Sequence, residues 1–101
     1  MIVGLFEEAR IFLRKVLPVA RRVFGENGEI TLRMRGSYAA ALYRDDNATL
    51  DDLREAVTTL EDVGRIARRV LGGAHPLTKV IEHNLPKARA ALRARETPPG
   101  S

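Results

Sequence analysis

Apolar residues recur along this chain at steps of three and four over four separate stretches, and turn-forming residues divide the stretches from one another. That pattern predicts four amphipathic helices. The best marked covers residues 50–71. Thr49 is placed to cap it, Asp52 three positions later completes a capping box, and Asp51 suits the positive end of the helix dipole. Leu53, Ala56, Val57, Leu60, Val63, Ile66, Ala67, Val70 and Leu71 then share one face. Gly72-Gly73 offers positive-φ residues to end the helix, and Pro76 fits the first turn of the next, where its missing N–H has no helical partner.

The first helix is expected over residues 2–24, with Leu5, Phe6, Ala9, Phe12, Leu13, Val16, Leu17, Ala20, Val23 and Phe24 as its stripe. Pro18 inside it removes a backbone hydrogen bond and predicts a kink between Arg14 and Leu17. Ile2, Val3 and Ile11 fall off the stripe, so the apolar surface is wider than one neighbour covers. The turn 25–28 leads into a second helix over 29–44, with Ile30, Met34, Tyr38, Ala41 and Leu42 inward and Gly36-Ser37 small enough for another backbone to approach. A fourth helix over 76–95 is expected to bury Leu77, Val80, Ile81, Leu85, Ala88 and Leu92, with a kink at Pro86. Residues 1–95 thus read as one helical repeat domain, and 96–101, with two prolines and no apolar period, as a disordered tail.

The chain also repeats itself. Ala20-Arg21-Arg22-Val23-Phe24-Gly25 returns 47 residues later as Ala67-Arg68-Arg69-Val70-Leu71-Gly72, and at the same shift Glu8-Ala9 meets Glu55-Ala56, Leu13 meets Leu60, Val16 meets Val63 and Thr31 meets Thr78. A period of this size with two helices per unit predicts an all-α fold, a four-helix α-solenoid of two helical hairpins in which the first and third helices are equivalent, as are the second and fourth.

The run Ala67-Arg68-Arg69-Val70-Leu71-Gly72-Gly73-Ala74-His75-Pro76-Leu77-Thr78, followed by Asn84-Leu85, resembles the signature of kinesin-light-chain-type tetratricopeptide repeats. Ala41-Leu42-Tyr43-Arg44-Asp45 is similar to the end of the first helix of such a repeat. The first copy departs from the pattern, with Gly28-Glu29 where His-Pro is expected. The resemblance implies a solenoid that recognises a protein or peptide in a concave groove lined by the first helix of each hairpin, here the second and fourth helices. Asn84 carries over from the motif as a ligand-facing residue, and helical spacing adds Arg33, Ser37 and Lys87 to the same groove.

Composition narrows the alternatives. With 5% aromatic residues the chain favours helix over sheet, and 101 residues suffice for one core. A net charge of +4 draws acidic partners without naming nucleic acid. The lack of cysteine excludes disulfides and thiolate chemistry and suits a cytoplasmic protein. The apolar start runs straight into Glu7-Glu8, which fits neither a signal peptide nor a membrane span.

Candidate chemistry is sparse. His75, His83 and Glu82 do not share one helical face as zinc ligands must, Ser37 has no base near it in sequence, and Gly72-Gly73 lacks the context of a phosphate loop. No cofactor, metal or catalysis is therefore expected. Arg21-Arg22, Arg68-Arg69 and the set Lys87, Arg89, Arg93 and Arg95 read better as helix-end and solvated charges than as a nucleic-acid surface. The expected function is protein or peptide binding. A homodimer, closed through the exposed Ile2, Val3, Leu5 and Phe6, is expected beside it, and the competing readings are a self-assembling repeat fragment, natural or engineered, and a basic nucleic-acid-binding domain.

Overall fold

The computed structural model describes residues 4–96, which form four α-helices and, among those residues, no strand: α1 Leu5–Phe24, α2 Glu29–Tyr43, α3 Leu50–Val70 and α4 Pro76–Glu96. Each packs on the helix before and after it in the chain, and α2 also touches α4. This is the expected all-α helical repeat. α4 extends to Glu96, one residue further than expected, and Ile2 and Val3 lie outside the described residues.

Local chemistry sets the helix ends. The Thr49 hydroxyl accepts from Asp52 N–H at 3.1 Å while Thr49 N–H donates to the Asp52 carboxylate at 3.0 Å, which closes the capping box of α3. Gly25 and Gly72, equivalent under the 47-residue repeat, end α1 and α3 with φ of +87° and +91°. Gly73 does not use positive φ. A Cβ there would sit 2.8 Å from the Arg68 guanidinium, the far end of a flexible, exposed side chain that can move aside. α4 starts on His75, whose Nδ1 accepts from Leu77 N–H at 3.1 Å. α1 and α4 both continue through their prolines.

The core runs between the helices as one cluster, with Leu13 and Leu17 of α1, Leu32 and Leu42 of α2, Leu60 and Val63 of α3 and Ile81 of α4 among its members. Ile81 is the wedge. A Cβ on Gly36 would overlap its Cδ1, so this glycine on α2 makes the slot that seats α4, while a Cβ on Gly64 of α3 would stand 3.4 Å from its Cγ2, in ordinary contact. Gly36 thus admits a side chain where the sequence suggested a backbone. Arg95 fastens the far end of α4 by donating to the Ala48 carbonyl in the α2–α3 turn at 2.7 Å.

Several residues expected in the core are exposed: Phe12, Val23 and Phe24 on α1, Ile30 on α2, Val70 on α3 and Val80 on α4. Periodicity identifies an apolar face, but a face is buried only where a neighbour covers it. α1 has α2 alone beside it, and Val80 looks into an open groove.

Candidate functional site

A depression of about 260 Å³ lies between α2 and α4. α2 lines it with Arg33, Gly36, Ser37 and Ala40, and α4 with Pro76, Leu77, Val80, Ile81 and Asn84. The cause is again the glycine slot. With no side chain at Gly36, α4 settles close to α2 through Ile81, and the residues one turn outward form two facing walls. The floor is apolar, and Val80 leaves 53% of its surface in water. Arg33, Ser37 and Asn84 place a guanidinium, a hydroxyl and an amide at the rim, so the groove offers donors and acceptors beside an apolar patch.

Three of the four residues assigned to the groove, Arg33 and Ser37 by spacing and Asn84 by the motif, therefore line it together. Lys87 does not line the depression; it is exposed on α4, one turn beyond Asn84. Gly36, Ala40, Leu77 and Val80 were not assigned to the site, and their signal was present: Gly36, Ala40 and Val80 fall three or four residues from Arg33, Ser37 or Asn84 on the same helices, and Leu77 lies two turns before Asn84.

The rim is held by a short polar chain. Arg33 donates to Glu29 at 3.1 Å, and the other Glu29 oxygen stands 3.1 Å from His75 Nε2. Because His75 Nδ1 is occupied as the acceptor that caps α4, the proton of the neutral ring is on Nε2 and points to Glu29. His75 thus ties the start of α4 to the start of α2. Glu82 is taken by Arg68, which reaches both its oxygens at 2.8 and 3.0 Å, and His83 is exposed. The Arg68 guanidinium lowers the Glu82 carboxyl below its usual range.

The opposite face holds a smaller polar depression of about 190 Å³ where Arg14, Pro18 and Arg21 of α1 meet Tyr38 and Glu55. Arg14 donates to the Tyr38 hydroxyl at 2.7 Å, Tyr38 donates to Glu55 at 3.0 Å, and the Arg14 guanidinium stands 5.7 Å from the Tyr38 ring centre. Burial pushes the Tyr38 phenol up, and the Glu55 carboxylate adds to the shift against the opposing Arg14 bond. Together with Arg10–Asp52 at 3.4 Å, this chain bridges α1 to α3. Its groups satisfy one another, so it reads as a strut.

Of the residues assigned to an interface, Leu5 is exposed, and Phe6 is partly covered by Arg44, whose guanidinium stands 5.3 Å from the ring centre. No helix among the described residues is long and apolar enough to cross a membrane.

An α-helical repeat protein with an open groove between equivalent helices is the class defined by this arrangement. The tetratricopeptide-repeat family model matches residues 3–28, about a quarter of the chain, which supports a tetratricopeptide-type repeat. The matched span covers α1 and its exit turn, and its equivalent one repeat later, residues 50–75, covers α3 and its exit turn. No curated protein and no solved structure matches the chain significantly.

Proposed function

We propose that the chain is a cytoplasmic interaction module of the kinesin-light-chain-type tetratricopeptide class, binding a protein or peptide without catalysis in the groove between α2 and α4. The observation that carries this reading is the groove itself, where two equivalent helices set polar rim residues beside an exposed apolar floor. The basic side chains support it over nucleic acid. Arg21, Arg35, Arg68 and Arg89 are paired with Glu26, Asp62, Glu82 and Glu61, and Arg95 is spent on the Ala48 carbonyl, so these cations do not form a free stripe for phosphates.

Panning a displayed library of extended peptides against the purified chain tests the site. Selected peptides are expected to lose binding on Val80→Asp, which puts a charge on the groove floor, and to bind several-fold more weakly on Asn84→Ala and, where the peptide runs one turn past the depression, on Lys87→Ala, each worth about 0.5–1.5 kcal/mol of hydrogen bonding. Peptides bound equally by all three variants would place the site elsewhere. Steep salt dependence of binding to generic DNA or RNA would favour the nucleic-acid reading. We also infer that the chain pairs as a homodimer through the apolar surface that α1 leaves in water.

A further inference from the structure

α1 carries a second apolar seam beside the one it buries on α2. Leu5, Ala9, Phe12, Val16, Val19 and Val23 follow one another at alternating steps of four and three, the spacing of the core positions of a coiled coil. They line one side of the helix, about a quarter turn from the Leu13, Leu17 and Ala20 side that meets α2. Leu5 is 81% exposed, Phe12 60%, Val19 45% and Val23 67%, while Ala9 and Val16 are half-buried between the two seams.

The internal repeat shows how unusual this face is. One period later the same six positions are Asp52, Ala56, Thr59, Val63, Ile66 and Val70 of α3, where Ala56 and Val63 are fully buried within the chain. α1 has Leu5 and Phe12 in place of the two polar members, Asp52 and Thr59. Its seam is therefore apolar throughout, which a self-complementary contact requires and a copy of the α3 contact does not. The opposite end of the solenoid is different. Leu32, Ala39 and Leu42 of α2, all buried, correspond to Lys79, Pro86 and Arg89 of α4, all exposed. A head-to-tail stack would press the apolar seam onto Lys79 and Arg89, so the seam is matched by itself.

We propose that two copies of the chain pair through α1 as an antiparallel, two-fold coiled-coil contact; this rests on the self-association reading above and specifies its surface and direction. In that register Leu5 of one copy lies opposite Val23 of the second, Ala9 opposite Val19, and Phe12 opposite Val16, each layer occurring twice. The flanking charges set the direction. Glu8, Lys15 and Arg22 run beside the seam at seven-residue spacing. Antiparallel pairing puts Glu8 next to Arg22 of the second copy on both sides of the axis, and Lys15, the one like-charge contact, meets its own copy on the axis through a long flexible stem. Parallel pairing would bring the acidic Glu7-Glu8 turns together, the basic Arg21-Arg22 turns together, and the helix dipoles into alignment.

Light scattering and cross-linking test this. The chain is expected to run as a dimer at tens of micromolar, and Phe12→Asp with Val19→Asp, both at exposed positions, to raise the dissociation constant on the order of 100-fold with helical circular dichroism unchanged. Glu8→Lys is expected to weaken the dimer and Arg22→Glu in the same chain to restore it. Since the chain has no cysteine, Leu5→Cys and Val23→Cys variants with a short bismaleimide report direction: neither variant cross-links alone, and an equimolar mixture does. A monomeric wild-type chain overturns the self-association reading and this contact with it. A dimer that survives Phe12→Asp/Val19→Asp keeps self-association but overturns the seam, and cross-linking of Leu5→Cys alone overturns the antiparallel direction.

Discussion

Thr31 and Thr78 occupy equivalent positions in the two repeats and are both fully buried, yet their hydroxyls stand in different situations. Thr31 Oγ1 donates to the Ala20 carbonyl at 3.1 Å. The corresponding acceptor for Thr78 is the Ala67 carbonyl, which is already taken by Leu71 N–H at 2.8 Å and Gly72 N–H at 3.2 Å. At the end of α1 the glycine bonds Arg21 O alone, whereas Gly72 N–H is shared between Ala67 O and Arg68 O at 3.2 Å each, so the Ala20 carbonyl keeps room for the hydroxyl. Thr78 Oγ1 accordingly has no partner among the described residues. Replacing each threonine by valine keeps the shape and removes the hydroxyl. At Thr31 the loss is a formed buried hydrogen bond, about 1 kcal/mol net; at Thr78 it is an unmet polar group, whose removal gains about 1 kcal/mol. The two variants should therefore differ by roughly 2 kcal/mol in opposite directions about the wild type. With a urea m-value of about 2 kcal/mol/M the unfolding midpoints separate by roughly 1 M. Circular dichroism during urea titration, at one protein concentration so that any dimerisation is held constant, reads the difference. Equal destabilisation by both substitutions would refute the argument that the Gly72 bond displaces Thr78.

Gly36→Ala is expected to destabilise by about 1–3 kcal/mol through overlap with Ile81 Cδ1 and to be rescued by Ile81→Val, which deletes that atom, whereas Gly64→Ala, with 3.4 Å of room, should stabilise by up to about 1 kcal/mol; thermal melts distinguish the three. His75→Ala should cost about 0.5–2 kcal/mol by uncapping α4, with His75→Asn, a good cap, close to wild type in the same melts. Asp62, held below the usual carboxylate range chiefly by its hydrogen bond from Arg35 at 2.8 Å, contributes stability that is present above its unfolded value of about 3.9 and is lost as pH falls through the folded value. Asp62→Asn should therefore flatten the fall in melting temperature below about pH 4, and an unchanged acid limb would discount the pair.

Features whose partners are close in sequence were legible before the fold was known. The Thr49–Asp52 box, the glycine stop at Gly72 and the equivalence of α2 with α4 all follow from neighbours a few residues apart or from the repeat. The struts were not legible, because Arg14–Tyr38 spans 24 residues, Arg35–Asp62 spans 27, and arginine has several acidic choices within reach at every turn. The same limit explains Phe12 and Val80. Both sit on apolar stripes, and a stripe does not say whether a helix stands opposite. Arg33 and Ser37, placed by helical spacing, and Asn84, placed by the motif, do line one depression, while its floor was missed because valine, alanine and leucine at helical spacing read as core.

The order of neighbours along the solenoid also sets the order in which it lets go. α2, α3 and α4 are interlocked: Ile81 sits in the slot at Gly36 of α2 and alongside Gly64 of α3, and Arg95 is hooked to Ala48. α1 leans on α2 alone, with its polar struts to α3 at the edge. Local opening is therefore cheapest in α1, whose amides exchange with solvent hydrogen through a partial unfolding that leaves the other three helices standing. A second copy seated on the outer seam of α1 would raise the free energy of that opening, and protection of α1 amides would rise with protein concentration while protection in α3 stayed level.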